Sequence, residues 1–211
     1  MSTTIATQQP RARASSAKML GRAGTGLAGA AVLAFSAALP AHAQTEVTSG
    51  HADVIGVNSA HEIGSNFGSD FAPWGANFDY QFVFDDALNQ NGVTCSNGVI
   101  TIDGHGINSN QLPDVGLDNS SNNPYLIDVS TASGSPQTGD VSFSSSLSDV
   151  LSTDGPPVEL PSSAHVHGDW EFVVGSCAAG ESYVFELTFE AEGQGGVGNF
   201  DEQGITFVIN S

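Results

Sequence analysis

Tyr183-Val184-Phe185-Glu186-Leu187-Thr188-Phe189-Glu190-Ala191-Glu192 is the most regular segment of the chain. Side chains alternate across an extended backbone, so Tyr183, Phe185, Leu187, Phe189 and Ala191 share one side, and Glu186, Thr188, Glu190 and Glu192 share the other. A helix, with its period of about 3.6 residues, would mix the two sets. The pattern recurs at residues 77–85, with Phe78, Tyr80, Phe82 and Phe84 inward, and at 205–209, with Ile205, Phe207 and Ile209 inward. Shorter segments of the same kind lie at 51–57, 99–103, 125–129, 141–143 and 170–174.

Gly, Asn, Ser and Asp cluster between these segments, at 89–92, 104–110, 118–123, 133–139 and 193–198, and are turn residues. Residues 144–153 are expected to form one or two helical turns; no other stretch reads as helix. About eight half-apolar strands joined by turns predict an all-β fold, an antiparallel β-sandwich of immunoglobulin-like or jelly-roll-like build. The Ser/Gly/Pro-rich stretch 118–161 carries the weakest pattern.

Charge is divided along the chain. Its four basic residues, Arg11, Arg13, Lys18 and Arg22, all precede the first carboxylate, Glu46. After Arg22 come a small and apolar run at 26–39 and then Ala41-His42-Ala43, the small-x-small pattern of a signal peptidase site. The run is shorter than the roughly 20 apolar residues that span a bilayer. Residues 1–43 are therefore expected to be a removed signal peptide. Residues 44–211 are expected to be one secreted, soluble domain without a membrane anchor, extracellular or periplasmic. It keeps Cys95 and Cys177, and an oxidising compartment favours one disulfide between them. Closing so long a loop stabilises by roughly 3–5 kcal/mol through the unfolded state.

That domain has no Lys or Arg and carries all 23 Asp and Glu. Nucleic-acid binding is excluded, because nothing neutralises phosphates, and so is a basic patch for anionic lipid. Three readings of the acidity compete. It is a solvated surface suited to salt, a set of Ca²⁺ sites, or the exterior of a transition-metal protein. Calcium is possible from the Asp and Asn oxygens in Gly-rich loops, but no stretch matches the D-x-[DN]-x-[DN]-G loop.

The domain's histidines are His51, His61, His105, His165 and His167. In His165-Val166-His167 both imidazoles leave the same face of an extended strand, a geometry suited to Zn²⁺ or Cu²⁺. His51 and Asp53 share a face in the same way and would complete a tetrahedral site if the two strands were neighbours. The competing reading is structural. In a domain without Lys or Arg, imidazoles are the only side chains able to offset carboxylates such as Asp169 and Glu171. His61 and His105 lie in polar loops and are not singled out. Cutting after Ala43 leaves Gln44 first, which disfavours a histidine-brace copper site, and no G-x-S-x-G elbow supports a serine hydrolase.

Gly50-His-Ala-Asp-Val54, His165-Val-His-Gly-Asp-Trp-Glu-Phe172 and Gly180-Glu-Ser-Tyr-Val-Phe-Glu-Leu-Thr-Phe-Glu-Ala191 together resemble the choice-of-anchor M domain family of bacterial surface proteins. The resemblance covers about a third of residues 44–211. It implies an exported β-rich domain in which His51, Asp53, His165, His167 and Trp170 are family-typical. Ser176-Cys-Ala-Ala-Gly180 stands where the family has a short Pro-Gly turn.

The expectation is a non-enzymatic protein that binds a divalent cation, Zn or Cu, through His165 and His167 with His51 and Asp53. A secreted structural or surface-interaction domain is the alternative. A metal-bound-water hydrolase is a third reading, and it needs an open coordination position and a cleft. Ring nitrogens of His51 and His167 more than about 8 Å apart could not share a metal with bonds near 2 Å.

Overall fold

The structure, a computed structural model, describes residues 44–85, 88 and 92–210; the expected signal peptide at 1–43 lies outside them. Sixteen strands and no helix occur among the described residues. They form three open sheets.

The first sheet runs β1 (Thr45–Val47), β5 (Tyr80–Phe84), β16 (Phe200–Asn210), β15 (Ser182–Gly193), β9 (Tyr125–Thr131) and β12 (Val158–Leu160). The second runs β11 (Leu151–Ser152), β10 (Val141–Ser144), β14 (Asp169–Val173), β7 (Val99–Ile102) and β6 (Val93–Ser96). The third runs β13 (Ala164–Val166), β8 (Pro113–Asn119), β2 (Gly50–Val57), β3 (Ile63–Phe67) and β4 (Asp70–Pro73).

The alternation along β15 does what its pattern predicts. Tyr183, Phe185, Leu187, Phe189 and Ala191 are buried, and so are Ile205, Phe207 and Ile209 opposite them on β16. The second sheet packs on this face, with Phe172 5.0 Å from Phe185 and Trp170 5.3 Å from Phe207 between ring centroids. Phe67 of the third sheet stacks on Tyr80 at 4.4 Å. Trp170, fully enclosed, donates its indole N–H to the Val115 carbonyl of β8 at 3.0 Å, which ties the second sheet to the third. Its place is the core. A sandwich with one sheet against two is the result.

Three features differ from the sequence reading. The pairs β1–β5, β5–β16 and β2–β8 are parallel. The strand number exceeds eight because further strands form in segments that the sequence pattern does not mark as strands, including Pro113–Asn119 and Ile63–Phe67. Residues 144–153 hold no helix: 145–149 form bends that lead into β11. Three Ser in this stretch have hydroxyls able to bind local backbone, and Ser145 Oγ accepts from the Leu147 N–H at 3.2 Å. Cys95 on β6 and Cys177, beyond β14, form the expected disulfide across 82 residues.

Candidate metal centre

The outward face of β13, β8 and β2 carries the site. The two histidine-bearing strands are not neighbours, the condition set above for a tetrahedral site; β8 lies between them. Asp53 on β2 pairs with Gly116 on β8, and Val166 on β13 pairs with Leu117. One residue further along, His167 meets Gly116 from the other side. A Cβ at Gly116 would stand 2.9 Å from both Asp53 Oδ1 and His167 Cε1. The missing side chain lets a carboxylate and an imidazole from flanking strands meet across the middle one. A bulge in β2 after Asp53 breaks the register against both β3 and β8. Val54 and Ile55 can then both turn into the core while Asp53 faces the site.

Three ring nitrogens converge. His51 Nε2 is 2.9 Å from His165 Nε2 and 3.0 Å from His167 Nε2, and the third edge is 3.2 Å. These contacts cannot all be hydrogen bonds. A ring nitrogen either donates its proton or offers its lone pair, never both. In a triangle the two roles cannot alternate, so at least one edge sets proton against proton or lone pair against lone pair. A cation receiving all three lone pairs removes the conflict.

Asp53 stands beneath the triangle, 1 % exposed, with Oδ1 3.5 Å from His165 Nε2 and 4.0 Å from His51 Nε2. That oxygen is buried without a hydrogen-bond partner. Its twin, Oδ2, accepts from Asn66 Nδ2 at 3.2 Å, and the same amide reaches Asp118 Oδ2 at 3.2 Å. Burial pushes the Asp53 carboxyl above its usual range. The Asn66 hydrogen bond and the charges of His51 and His165 act against that, and Asp118 adds to it. A metal on Oδ1 supplies the missing partner and the missing charge.

His167 is oriented from behind: its Nδ1–H donates to Asp114 Oδ1 at 2.7 Å. That fixes the tautomer with Nε2 bare, the carboxylate–histidine arrangement found behind many metal ligands. Four ligands about 2.1 Å from a tetrahedral ion stand about 3.4 Å apart. The observed nitrogen–nitrogen and oxygen–nitrogen separations lie on either side of that value. His51, Asp53, His165 and His167 could therefore hold one metal ion.

All four ligand residues anticipated from the sequence meet here. Those not anticipated are Asp114, Gly116, Asp118 and Asn66. A signal existed in Pro113-Asp-Val-Gly-Leu-Asp-Asn119, where Val115 and Leu117 alternate with polar or small residues. The carboxylates beside His51, His165 and His167 are Asp53 and Asp114, in place of the Asp169 and Glu171 offered by the sequence. Asp169 comes within 4.8 Å of Asp103 and His105, a second group in which Asp103 and His105 are exposed. His61 lies elsewhere, its carbonyl accepting from Asn199 at 2.7 Å.

Compared with known protein families, curated proteins and solved structures, the chain matches none.

Proposed function

We propose that the protein is an exported, acidic β-sandwich that binds one divalent transition-metal ion, Zn²⁺ in first place and Cu²⁺ in second. The observation that supports it most is the triangle of three Nε2 atoms within 3.2 Å of one another above the unpaired Asp53 Oδ1. Three imidazoles and one carboxylate suit Zn²⁺. The nitrogen-rich donor set does not suit Ca²⁺, which takes oxygen ligands. Export is supported by the leader pattern at 1–43 and by the disulfide. The likeness to choice-of-anchor M domains belongs to the same proposal, since its motif residues His51, Asp53, His165 and His167 are those that meet.

At 3.0 Å, His51 and His167 lie well inside the limit beyond which the interaction-domain alternative would be preferred. No catalytic step is proposed. Equilibrium dialysis against Zn²⁺ and Cu²⁺ tests the reading. The protein should take up one ion per chain, and the His165→Ala/His167→Ala variant should lose that uptake. Equal uptake by both proteins would sink it.

A further inference from the structure

Resting on that reading, we infer that the metal is an exchangeable cargo, handed to an uncharged or cationic acceptor from the His165 side, and not a staple of the fold. The site has two unequal halves. Asp53 and His167 have side chains 2 % and 19 % exposed, whereas His51 and His165 are 36 % and 50 % exposed. Support follows burial. Asn66 holds Asp53 and Asp114 holds His167, while the hydrogen-bond and ion-pair contacts of His51 and His165 run through Nε2, the ligand atom itself. The exposed half is oriented only by what it binds.

The fold gains no closure from the ion. β2, β8 and β13 are already joined by their own ladders, and the core side of these strands is packed by Ala52, Val115, Leu117 and Val166. A metal bridging β2 and β13 therefore links segments that hydrogen bonds already hold in place. Access is provided too. His165, at 50 % the most exposed of the four side chains, leaves that side of the triangle open to solvent. Zn²⁺ accommodates a fifth ligand during exchange, so a metal reachable from solvent can be passed from one donor set to another without first being set free.

Charge selects the acceptor. Residues 44–211 hold all 23 carboxylates and no Lys or Arg, and the site itself adds Asp114 and Asp118 to Asp53. Such a field repels an anionic chelator and draws in a neutral or cationic one, an effect that salt screens.

Stopped-flow release from the purified Zn²⁺-loaded protein tests the inference, with near-ultraviolet circular dichroism followed in parallel. A neutral polypyridyl chelator should remove Zn²⁺ at a rate that rises with chelator concentration, with the aromatic signal unchanged. An anionic aminocarboxylate should be slower at low salt and close the gap near about 1 M salt, where the screening length is only a few ångströms. His165→Ala should release at least about tenfold faster, a loss of the size usual for a supporting contact or more. Release that is independent of chelator concentration and keeps pace with unfolding would overturn the cargo assignment and leave metal binding standing. Failure to take up Zn²⁺ at all would overturn both.

Discussion

Between β15 and β16 the ladder runs unbroken from Ser182–Asn210 to Glu192–Phe200, whereas β2 slips against both of its neighbours after Asp53. The first region is regular: Tyr183, Phe185, Leu187, Phe189 and Ala191 are buried with Ile205, Phe207 and Ile209 opposite them, and the ladder keeps one register. The second departs from that regularity at several points. It has a glycine across which side chains of both flanking strands meet, a bulge, a buried carboxylate oxygen without a hydrogen-bond partner and three imidazole nitrogens in a triangle no protonation pattern satisfies. Each departure costs stability, and one cation at one point relieves both the carboxylate and the triangle. Asp169 Oδ1 on β14 is also buried without a partner, but only on this surface do several departures meet at one point, which is where function is expected.

If the contrast is sound, the two regions should fail in different ways. Phe189→Ala, in the enclosed face of β15, should lower unfolding free energy by about 3–5 kcal/mol in denaturant melts, while the folded fraction binds Zn²⁺ as before. Weakened affinity in that folded fraction would mean that core and site are coupled. Asp114→Asn should do the reverse. It replaces the acceptor behind His167 Nδ1 at nearly constant shape, and Zn²⁺ affinity should fall about 10–100-fold by competition titration with little change in the apo melting temperature.

Asp53→Asn is the subtlest probe, because removing a ligand here should stabilise the metal-free protein. The buried carboxylate, whose Oδ1 has no hydrogen-bond partner, is replaced by an amide whose oxygen keeps the Asn66 bond and whose NH₂ turns toward His165. Apo stability should rise by about 1 kcal/mol, near the low end for a buried group left unsatisfied, while Zn²⁺ uptake weakens. The pH dependence has a definite sign. The folded Asp53 carboxyl sits above its unfolded value, so the folded state holds that proton more tightly. Its cost is fully present above the raised value, is relieved as pH falls through it, and has vanished below the ordinary Asp range. The stability gap between Asp53→Asn and wild type should therefore be widest at neutral pH and close on acidification. In the metal-loaded protein acid acts oppositely, since protons compete for the same ligand atoms. A gap that does not change with pH would remove Asp53 from this account.

The regular region was legible from sequence for the reason that it is regular. Tyr183 to Glu192 states its period in ten residues, and a period of two has one structural meaning. The ligands were legible for a related reason, since His165 and His167, like His51 and Asp53, are two apart on extended chain and must share a face. What was hidden is how the strands are ordered. Nothing in Gly50 to Val54 or Ala164 to His167 says that β8 runs between them, and only its glycine allows the ligands to close over it. Gly116 stands in a stretch, 111–117, that the sequence pattern assigns to neither strand nor turn. Asp114 was hidden likewise, being one of 23 carboxylates until pairing with β2 puts it opposite His51. Short strands of the third sheet escaped for a simpler reason: four or five residues, as in Ile63–Phe67 with its Gly, Ser and Asn or Asp70–Pro73 with its proline, carry too little periodicity to separate them from loops.

The central claim is that His51, Asp53, His165 and His167 enclose one metal ion. X-ray absorption at the zinc edge of the loaded protein reads that shell directly. The account predicts four light-atom ligands near 2.0–2.1 Å, with the outer-shell scattering of three imidazoles, and loss of one imidazole in His51→Ala. A six-oxygen shell without imidazole scattering, or a spectrum unchanged by that substitution, would contradict it.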